Sequence, residues 1–326
     1  MPDAADCSLI VPAHRGGPML EACLDSIARL DPRPREVVVA VDGADPAVLA
    51  AAARRGFTAL AYPTAPGVAA TRNAGVRAAR GTVLVFADSD TLLPADHLAR
   101  LTALWAPHPE AAAIIGSYDA APAAPGFVSR YRNLLHHYTH QHGAKEAQTF
   151  WAGCGAVRRD AFEVIGGFDE AYRIPSVEDI ELGYRLRRAG HRIRLEATWQ
   201  VKHLKRWQLR DLIVTDIGRR AIPWTRLLRR EGRLDNDLNI DHASRVNAAL
   251  VCGGGALLAV GILWRPGLPA GAFLLGAAVA RNLPFYRFLG RTGGWALAVG
   301  SVPLHWLYFA GATVGFLLGR LRSDPR

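Results

Sequence analysis

Cysteine is scarce in this chain of 326 residues: four are present, Cys7, Cys23, Cys154 and Cys252, with none of the short spacings of metal-binding thiolates. A cysteine-built zinc site and a disulfide framework are both excluded. The N-terminus lacks a basic stretch followed by an apolar core, so no cleavable signal peptide is expected, and the first 240 residues are placed in the cytosol. Charge is missing from two long runs. Val246–Trp264 holds 19 residues without a charged side chain, and Thr292–Gly319 holds 28, with His305 inside it. About 20 apolar residues carry a helix across a bilayer. Buried core helices are the alternative, but soluble cores seldom need uncharged runs so long. Leu268–Ala280 between them is apolar but short, and Pro303 interrupts the last run. Two or three membrane segments are expected.

What is present is equally uneven. The net charge of +10 is concentrated in Arg185–Asp235, where fifteen Arg and Lys face five Asp and Glu. Aromatic residues are not interleaved there as a stacking platform, so no nucleic-acid partner is expected. Basic clusters beside a membrane are drawn to anionic headgroups by about 1 kcal/mol per residue. Arg206–Arg220 places Trp207, Leu209, Leu212, Ile213 and Ile217 largely on one helical face, which suits a helix lying in the headgroup plane. Pro223 is expected to break that helix and Trp224 to lie at the interface. Three regions follow: a soluble domain over 1–205, basic amphipathic helices over 206–245, and a membrane domain over 246–326. Self-association is left open.

The first region alternates strands and helices. Ser8–Ala13, Glu36–Gly43, Thr58–Tyr62 and the run ending at Ala87 read as strands, the first, second and last of them as buried apolar runs. Pro18–Leu30, with Met19, Cys23, Leu24, Ile27 and Leu30 at helical spacing, Pro46–Arg55 and Gly67–Ala79 read as helices. This rhythm predicts a parallel α/β sheet. Beyond it, Trp151–Val157 is glycine-rich, as expected where backbone approaches a ligand or turns tightly. Ser176 followed by Glu178, Asp179 and Glu181 reads as a capped helix start.

The strand Thr82–Ala87 ends in Asp88-Ser89-Asp90, two carboxylates one residue apart. Ligands gather at the carboxyl ends of strands in open α/β sheets. Paired aspartates there suit Mg²⁺ or Mn²⁺ shared with a phosphate. A solvated turn is the other reading of the triplet.

Taken together, these segments resemble the glycosyltransferase family 2 enzymes of the GT-A fold, over about Ser8–Trp207. The motifs occur in order: Ile10-Val11-Pro12-Ala13, Val39-Ala40-Val41-Asp42-Gly43, Gly67–Gly75 with Ala70-Thr71-Arg72-Asn73-Ala74, Asp88-Ser89-Asp90, Gly166-Gly167-Phe168-Asp169-Glu170 and Glu178-Asp179. The resemblance implies a Rossmann-like, mainly parallel sheet with flanking helices, and a nucleotide-sugar donor bound across the first strands. Asp42 would contact the base, Pro12 and Ala13 would line its pocket, and Arg72 would contact the nucleotide. Asp88-Ser89-Asp90 would bind the donor, Asp90 ligating Mn²⁺ or Mg²⁺ with Asp88 nearer the ribose or one shell out. Asp179 would be the base that deprotonates the acceptor, with Glu178 orienting the acceptor or raising the base's pKa, and His203 a further metal ligand. The first loop departs from the family pattern, reading His14-Arg15-Gly16-Gly17, and a single Asp42 follows the second strand. In place of the processive members' Q-x-x-R-W stands His203-Leu204-Lys205-Arg206-Trp207.

The expected activity is therefore inverting transfer of one sugar, from a UDP-linked donor for preference, to a lipid or glycolipid acceptor at the inner membrane. Two alternatives are a nucleotidyltransferase and a catalytically silent sugar-nucleotide-binding scaffold of a membrane complex.

Overall fold

The computed structural model describes residues 3–62, 64–232, 238 and 241–321. The chain forms two compact units: residues up to Ala124 with Thr139–Lys205, and Pro125–Tyr138 with Arg206 onward.

The first unit is built on one sheet. Its first part contains β1 (Cys7–Ala13), α1 (Pro18–Ala28), β2 (Glu36–Val41), α2 (Pro46–Ala53), β3 (Thr58–Ala61), α3 (Val68–Ala78) and β4 (Val83–Ala87). Next come β5 (Thr91–Leu92), α4 (His97–Trp105), β6 (Ala111–Tyr118), α5 (Phe127–His142, which belongs to the second unit up to Tyr138), β7 (Glu146–Ala147), β8 (Cys154–Arg158), α6 (Arg159–Val164), α7 (Glu178–Arg188) and β9 (Arg192–His203). The strand order is β3-β2-β1-β4-β8-β6-β9-β5, with β7 beside β9. The first four strands are parallel, as their connecting helices and the buried apolar runs of β1, β2 and β4 require, while β3 is the partly exposed edge. The other half is mixed: β8 runs antiparallel to β4 and β6, while β6 and β9 are parallel. The result is a mixed α/β sheet of the GT-A kind flanked by helices, less uniformly parallel than the βα rhythm predicts.

Every residue of β1 and β4 is buried. One face packs Leu9, Val11, Val39, Val85 and Trp199 into a common core. Gly75 lets α3 settle close to the sheet, since a Cβ there would meet Ile10 at 2.7 Å. After β1 the chain winds outward to β3, then returns to lay β4 on the other side of β1. Strand order reverses at that point, which is where open α/β sheets bind ligands. Met19, expected on the inward face of α1, is 47% exposed instead.

The second unit is helical. α8 (Leu209–Ile213) continues through a π-helical stretch (Val214–Ala221) into α9 (Ile222–Glu231). Pro223 does not break this run. It lies in the first turn of α9, where the register changes from π to α and a missing N–H is tolerated. α10 (His242–Gly261) and α13 (Trp295–Leu321) are long and apolar enough to cross a membrane. Between them α11 (Gly267–Arg281) and α12 (Leu283–Gly293) meet at a 60° bend, the geometry of a broken span or a re-entrant pair. Pro303 lies inside α13 without interrupting it. Trp224 is buried rather than placed at an interface.

Candidate active site

The site collects at the carboxyl ends of β1, β2 and β4. β1 ends in Pro12 and Ala13, and the Asp42 amide donates to the Ala13 carbonyl at 2.7 Å. The Asp42 carboxylate accepts from the Gly67 amide at 2.9 Å, tying β2 to the start of α3. Gly67 is needed there: its φ is +101°, and a Cβ would collide with the Arg173 backbone. His14, from the unusual first loop, brings Nδ1 to 2.9 Å from the Asp42 carbonyl and 3.7 Å from its carboxylate.

One turn into α3, the buried Arg72 reaches across to acids from two other segments. It donates to Glu178 Oε1 at 2.7 Å and to Asp88 Oδ1 at 3.1 Å, with its guanidinium over the Phe168 ring at 5.4 Å. Burial alone would loosen the guanidinium's proton, but Glu178, Asp88 and Asp179 outweigh it and hold the charge. Arg72 Nε stays buried with no hydrogen-bond partner among the described residues. The neighbouring Asn73 donates to the Phe168 carbonyl and accepts from its amide, holding the Gly-Gly-Phe-Asp segment against α3.

Asp88 and Asp90 flank a turn closed by Thr91, whose hydroxyl and amide both donate to the Asp88 carbonyl; Ser89 lies half-buried between them. The Leu204 amide donates to the Asp90 carbonyl at 2.8 Å, and β5 pairs Thr91 with His203. The buried His203 therefore faces Asp90, Nε2 to Oδ2 at 3.4 Å, and stacks on Tyr118 with ring centroids 4.3 Å apart. These contacts drive the two aspartates apart. Burial pushes the Asp88 carboxyl up, against the pull of Arg72. Burial would raise Asp90 too, but His203 and Lys205 prevail and hold it below the usual carboxylate range.

Asp179 stands at the start of α7, half-buried. Its carboxylate accepts from the Ala152 amide at 3.2 Å and the Ile180 amide at 2.8 Å. Burial, then the charge of Glu178, raises its pKa to about 7. Glu178 itself is committed to Arg72 and to the Ser176 amide at 2.8 Å. The helix cap is consequently not Ser176 but Val177, with no side-chain bond. Glu178 folds back on the Ser176 amide and takes over that end.

The structure thus brings Arg72, Asp88, Glu178 and Asp179 into one network and Asp90 with His203 into an adjoining pair. Asp42, Pro12 and Ala13 line the same strand edge. Sequence reading missed Tyr118, Lys205 and the Ala152 amide as parts of the site. Tyr118 ends a strand rich in alanine that carries no clear period, whereas the glycine-rich Trp151–Val157 did mark close backbone approach: a Cβ on Gly155 would meet the Trp151 carbonyl at 2.4 Å.

The donor set fits a hard divalent ion. Among the described residues no three His, Cys, Asp or Glu side chains gather closely enough to hold an ion by themselves. Mg²⁺ and Mn²⁺ sites that share substrate phosphates need only one or two carboxylates from the protein.

Comparison with known proteins agrees with this architecture. Residues 8–166 match the family model Glycosyl transferase family 2, and residues 132–206 match the one described as the N-terminal domain of galactosyltransferase. A pre-mycofactocin glycosyltransferase of Mycobacterium tuberculosis is 29% identical over 271 residues, which cover 79% of this chain and 52% of that protein. The chain spans about half the length of the curated relatives it matches. Among solved structures, the mannosyltransferase PcManGT from Pyrobaculum calidifontis, in complex with GDP-Man and Mn²⁺, superposes with a TM-score of 0.60 at 23% identity, over 97% of this chain and 89% of that one. S. aureus TarS in complex with UDP-GlcNAc superposes with a TM-score of 0.53 at 17% identity, over 97% and 91%. These likenesses establish the fold.

Proposed function

We propose that this chain, a glycosyltransferase of the GT2/GT-A superfamily, moves one sugar from a nucleotide-sugar donor to a lipid or glycolipid acceptor, with inversion at the anomeric carbon. The observation that carries the reading is Asp179, a carboxylate fixed by two backbone amides and tuned by burial and Glu178 to about 7. A general base works best with a pKa near the operating pH.

In this reading the acceptor hydroxyl attacks the anomeric carbon opposite the diphosphate. Asp179 takes the hydroxyl proton as the new bond forms. The bond to the diphosphate breaks, and its electron pair leaves with the phosphate oxygen. Arg72 contacts the nucleotide while its ion pairs hold the strand end and α7 together, and Glu178 keeps the Asp179 proton affinity high. Asp90, with Asp88 and His203 around it, would hold Mn²⁺ or Mg²⁺, which supplies Lewis-acid neutralisation of the departing charge. Asp42, Pro12 and Ala13 receive the base. Where the acceptor is itself a phosphate, Asp179 positions it.

Lipid is the preferred acceptor because α10 and α13 are fit to span a membrane and the sequence leading into them, residues 206–245, is strongly basic. By the positive-inside tendency we infer that this basic stretch, and the catalytic domain that precedes it in the chain, face the cytosol at the cytoplasmic membrane.

The test is nucleotide release by the purified full chain with UDP- and GDP-sugars, lipid extracts and Mn²⁺. Both nucleotides belong in the panel, since one structural neighbour holds GDP-Man and another UDP-GlcNAc; our expectation is UDP. Metal-dependent release that vanishes in Asp90→Ala and Asp179→Asn supports the reading. Release of pyrophosphate would favour nucleotidyl transfer. Donor binding with no turnover on any lipid would leave a scaffold.

A further inference from the structure

Trp151 is the large side chain beside the site to which the mechanism gives no task. Three tryptophans belong to the first unit. Trp105 and Trp199 are fully buried, and their indole N–H groups donate to the Ala111 carbonyl at 2.9 Å and the His97 carbonyl at 3.0 Å. Trp151 is half-buried instead, against the rim of the same core. It stands immediately before Ala152, whose amide donates to the Asp179 carboxylate at 3.2 Å. Its ring meets Tyr118 at 87°, with centroids 4.9 Å apart. Tyr118 is also half-buried and stacks on His203, which faces Asp90. The tryptophan therefore connects the anchor of the base to the aspartate–histidine pair.

Local structure holds the ring in place. A Cβ on Gly153 would meet Trp151 Cζ2 at 2.6 Å and Nε1 at 2.9 Å, so the indole lies over the Gly153 backbone. His140 meets the indole from α5 with centroids 5.1 Å apart, and its own Nδ1 is held 2.7 Å from the Gly116 carbonyl. Two rings and a glycine backbone thus brace an aromatic side chain that is not fully covered. A binding platform needs both properties, and a core residue needs only the first.

Charge decides what such a platform can take. Glu178, Asp88 and Asp179 gather around Arg72, which is shared between the first two. An acceptor with a negative charge of its own is repelled beside Asp179, and a neutral hydroxyl is not. The face of an aromatic ring is electron-rich. The C–H groups of a pyranose are weakly positive and stack on such a face, while the hydroxyls stay at the edge for polar partners. A lipid phosphate offers neither feature.

We propose that Trp151 is the platform for a sugar ring of the acceptor, so that the nucleophile is a saccharide hydroxyl rather than a lipid phosphate. The assignment rests on the transferase reading given above and narrows its acceptor to a glycoside. The hydroxyl oxygen bonds to the anomeric carbon and its proton passes to Asp179. The donor's bond to the diphosphate breaks with the electron pair on the departing oxygen. Trp151 takes no part in that exchange; it sets which hydroxyl arrives.

The test compares octyl glucoside, octyl galactoside and octyl mannoside with octyl phosphate as acceptors for the purified full chain, with nucleotide release as the readout. We expect release with at least one glycoside and none above background with the phosphate. Trp151→Ala should raise the acceptor KM about tenfold while the donor KM and kcat hold, and Trp151→Phe should recover most of that loss. Trp151→Leu keeps apolar bulk over Gly153 without the electron-rich face and should behave like the alanine variant. A phosphate preferred over every glycoside overturns the proposal. So does a leucine variant with the wild-type acceptor KM, or a loss in Trp151→Ala that falls on the donor KM or kcat alone, the mark of a structural role.

Binding without turnover separates this inference from the reading beneath it. Saturation-transfer NMR with the methyl glycosides of the same sugars, in the presence of Mn²⁺ and UDP or GDP, should show the sugar-ring protons in contact with the protein. Trp151→Ala should lose that contact. If no donor is turned over, the contact and its loss still uphold the platform, and their absence overturns it.

Discussion

Two buried arginines, one in each unit, have the same surroundings with a different charge balance. Arg132 meets Asp216 through both guanidinium ends, at 2.8 and 3.2 Å, and lies over Trp207 at 5.4 Å. Arg72 lies over Phe168 at the same distance, but it faces Glu178 and Asp88 together, with Asp179 close behind. The first pair is one charge against one, a device of architecture. The second leaves more negative charge than its arginine can balance, and such a surplus at a strand edge is what a cation and a reacting proton require. A buried ion pair by itself says little about function; an unbalanced one says a good deal.

The largest expected effect tests the surplus directly. Asp179→Asn should cut turnover by about 10²–10⁴-fold with donor binding unchanged, measured by nucleotide release and calorimetry. If turnover persists, the base reading fails. Next, Arg132→Met strands Asp216 and should cost about 3–5 kcal/mol of stability, visible as a lower unfolding temperature in detergent. Adding Asp216→Leu should recover most of that loss. Arg72→Met with Glu178→Leu should likewise recover the fold but not the turnover; recovery of both would erase the distinction between the two arginines.

A smaller effect is expected one shell out. Tyr118→Leu removes the ring stacked on His203 and should raise the Mn²⁺ concentration needed for half-maximal rate by about tenfold. The smallest is a shift in a pH profile. A base acts deprotonated, so the rate should fall as pH drops through about 7, the value held by burial and Glu178. Glu178→Gln removes a charge that retains the Asp179 proton, and the acid limb should therefore move to lower pH. An unmoved limb would assign that ionisation elsewhere.

Much of the parallel half could be read from the chain because β1, β2 and β4 are buried and appear as unbroken apolar runs. Asp42, Asp88 and Asp90 could be located for the same reason, each standing at the end of such a run. The helix His97–Trp105, the strand Ala111–Tyr118 and the helix Phe127–His142 were not placed. Three alanines open that strand and suit a helix as well, and the last helix is crowded with histidines and other polar side chains. The site's charge network was out of reach for a different reason: Arg72 and Glu178 are 106 residues apart, and only the folded sheet brings them together. Arg72 was expected on the nucleotide, yet its first commitment is to acids of its own chain. Pro223 and Pro303 misled because each was read as a break without knowing which backbone donor was dispensable.

Arg72 and Asn73 are consecutive, so on a helix their side chains leave about 100° apart. One grips Glu178 and Asp88, and the other clasps the Phe168 backbone. Two tasks are thus keyed to a single turn of α3. In evolutionary terms, Gly166–Arg188 is not an exchangeable cassette. A chimera that imports this segment from a relative without the matching turn of α3 inherits a buried Glu178 with no guanidinium to balance it and a Phe168 backbone with no amide to clasp it, and recombination should spare the junction between them only when both travel together.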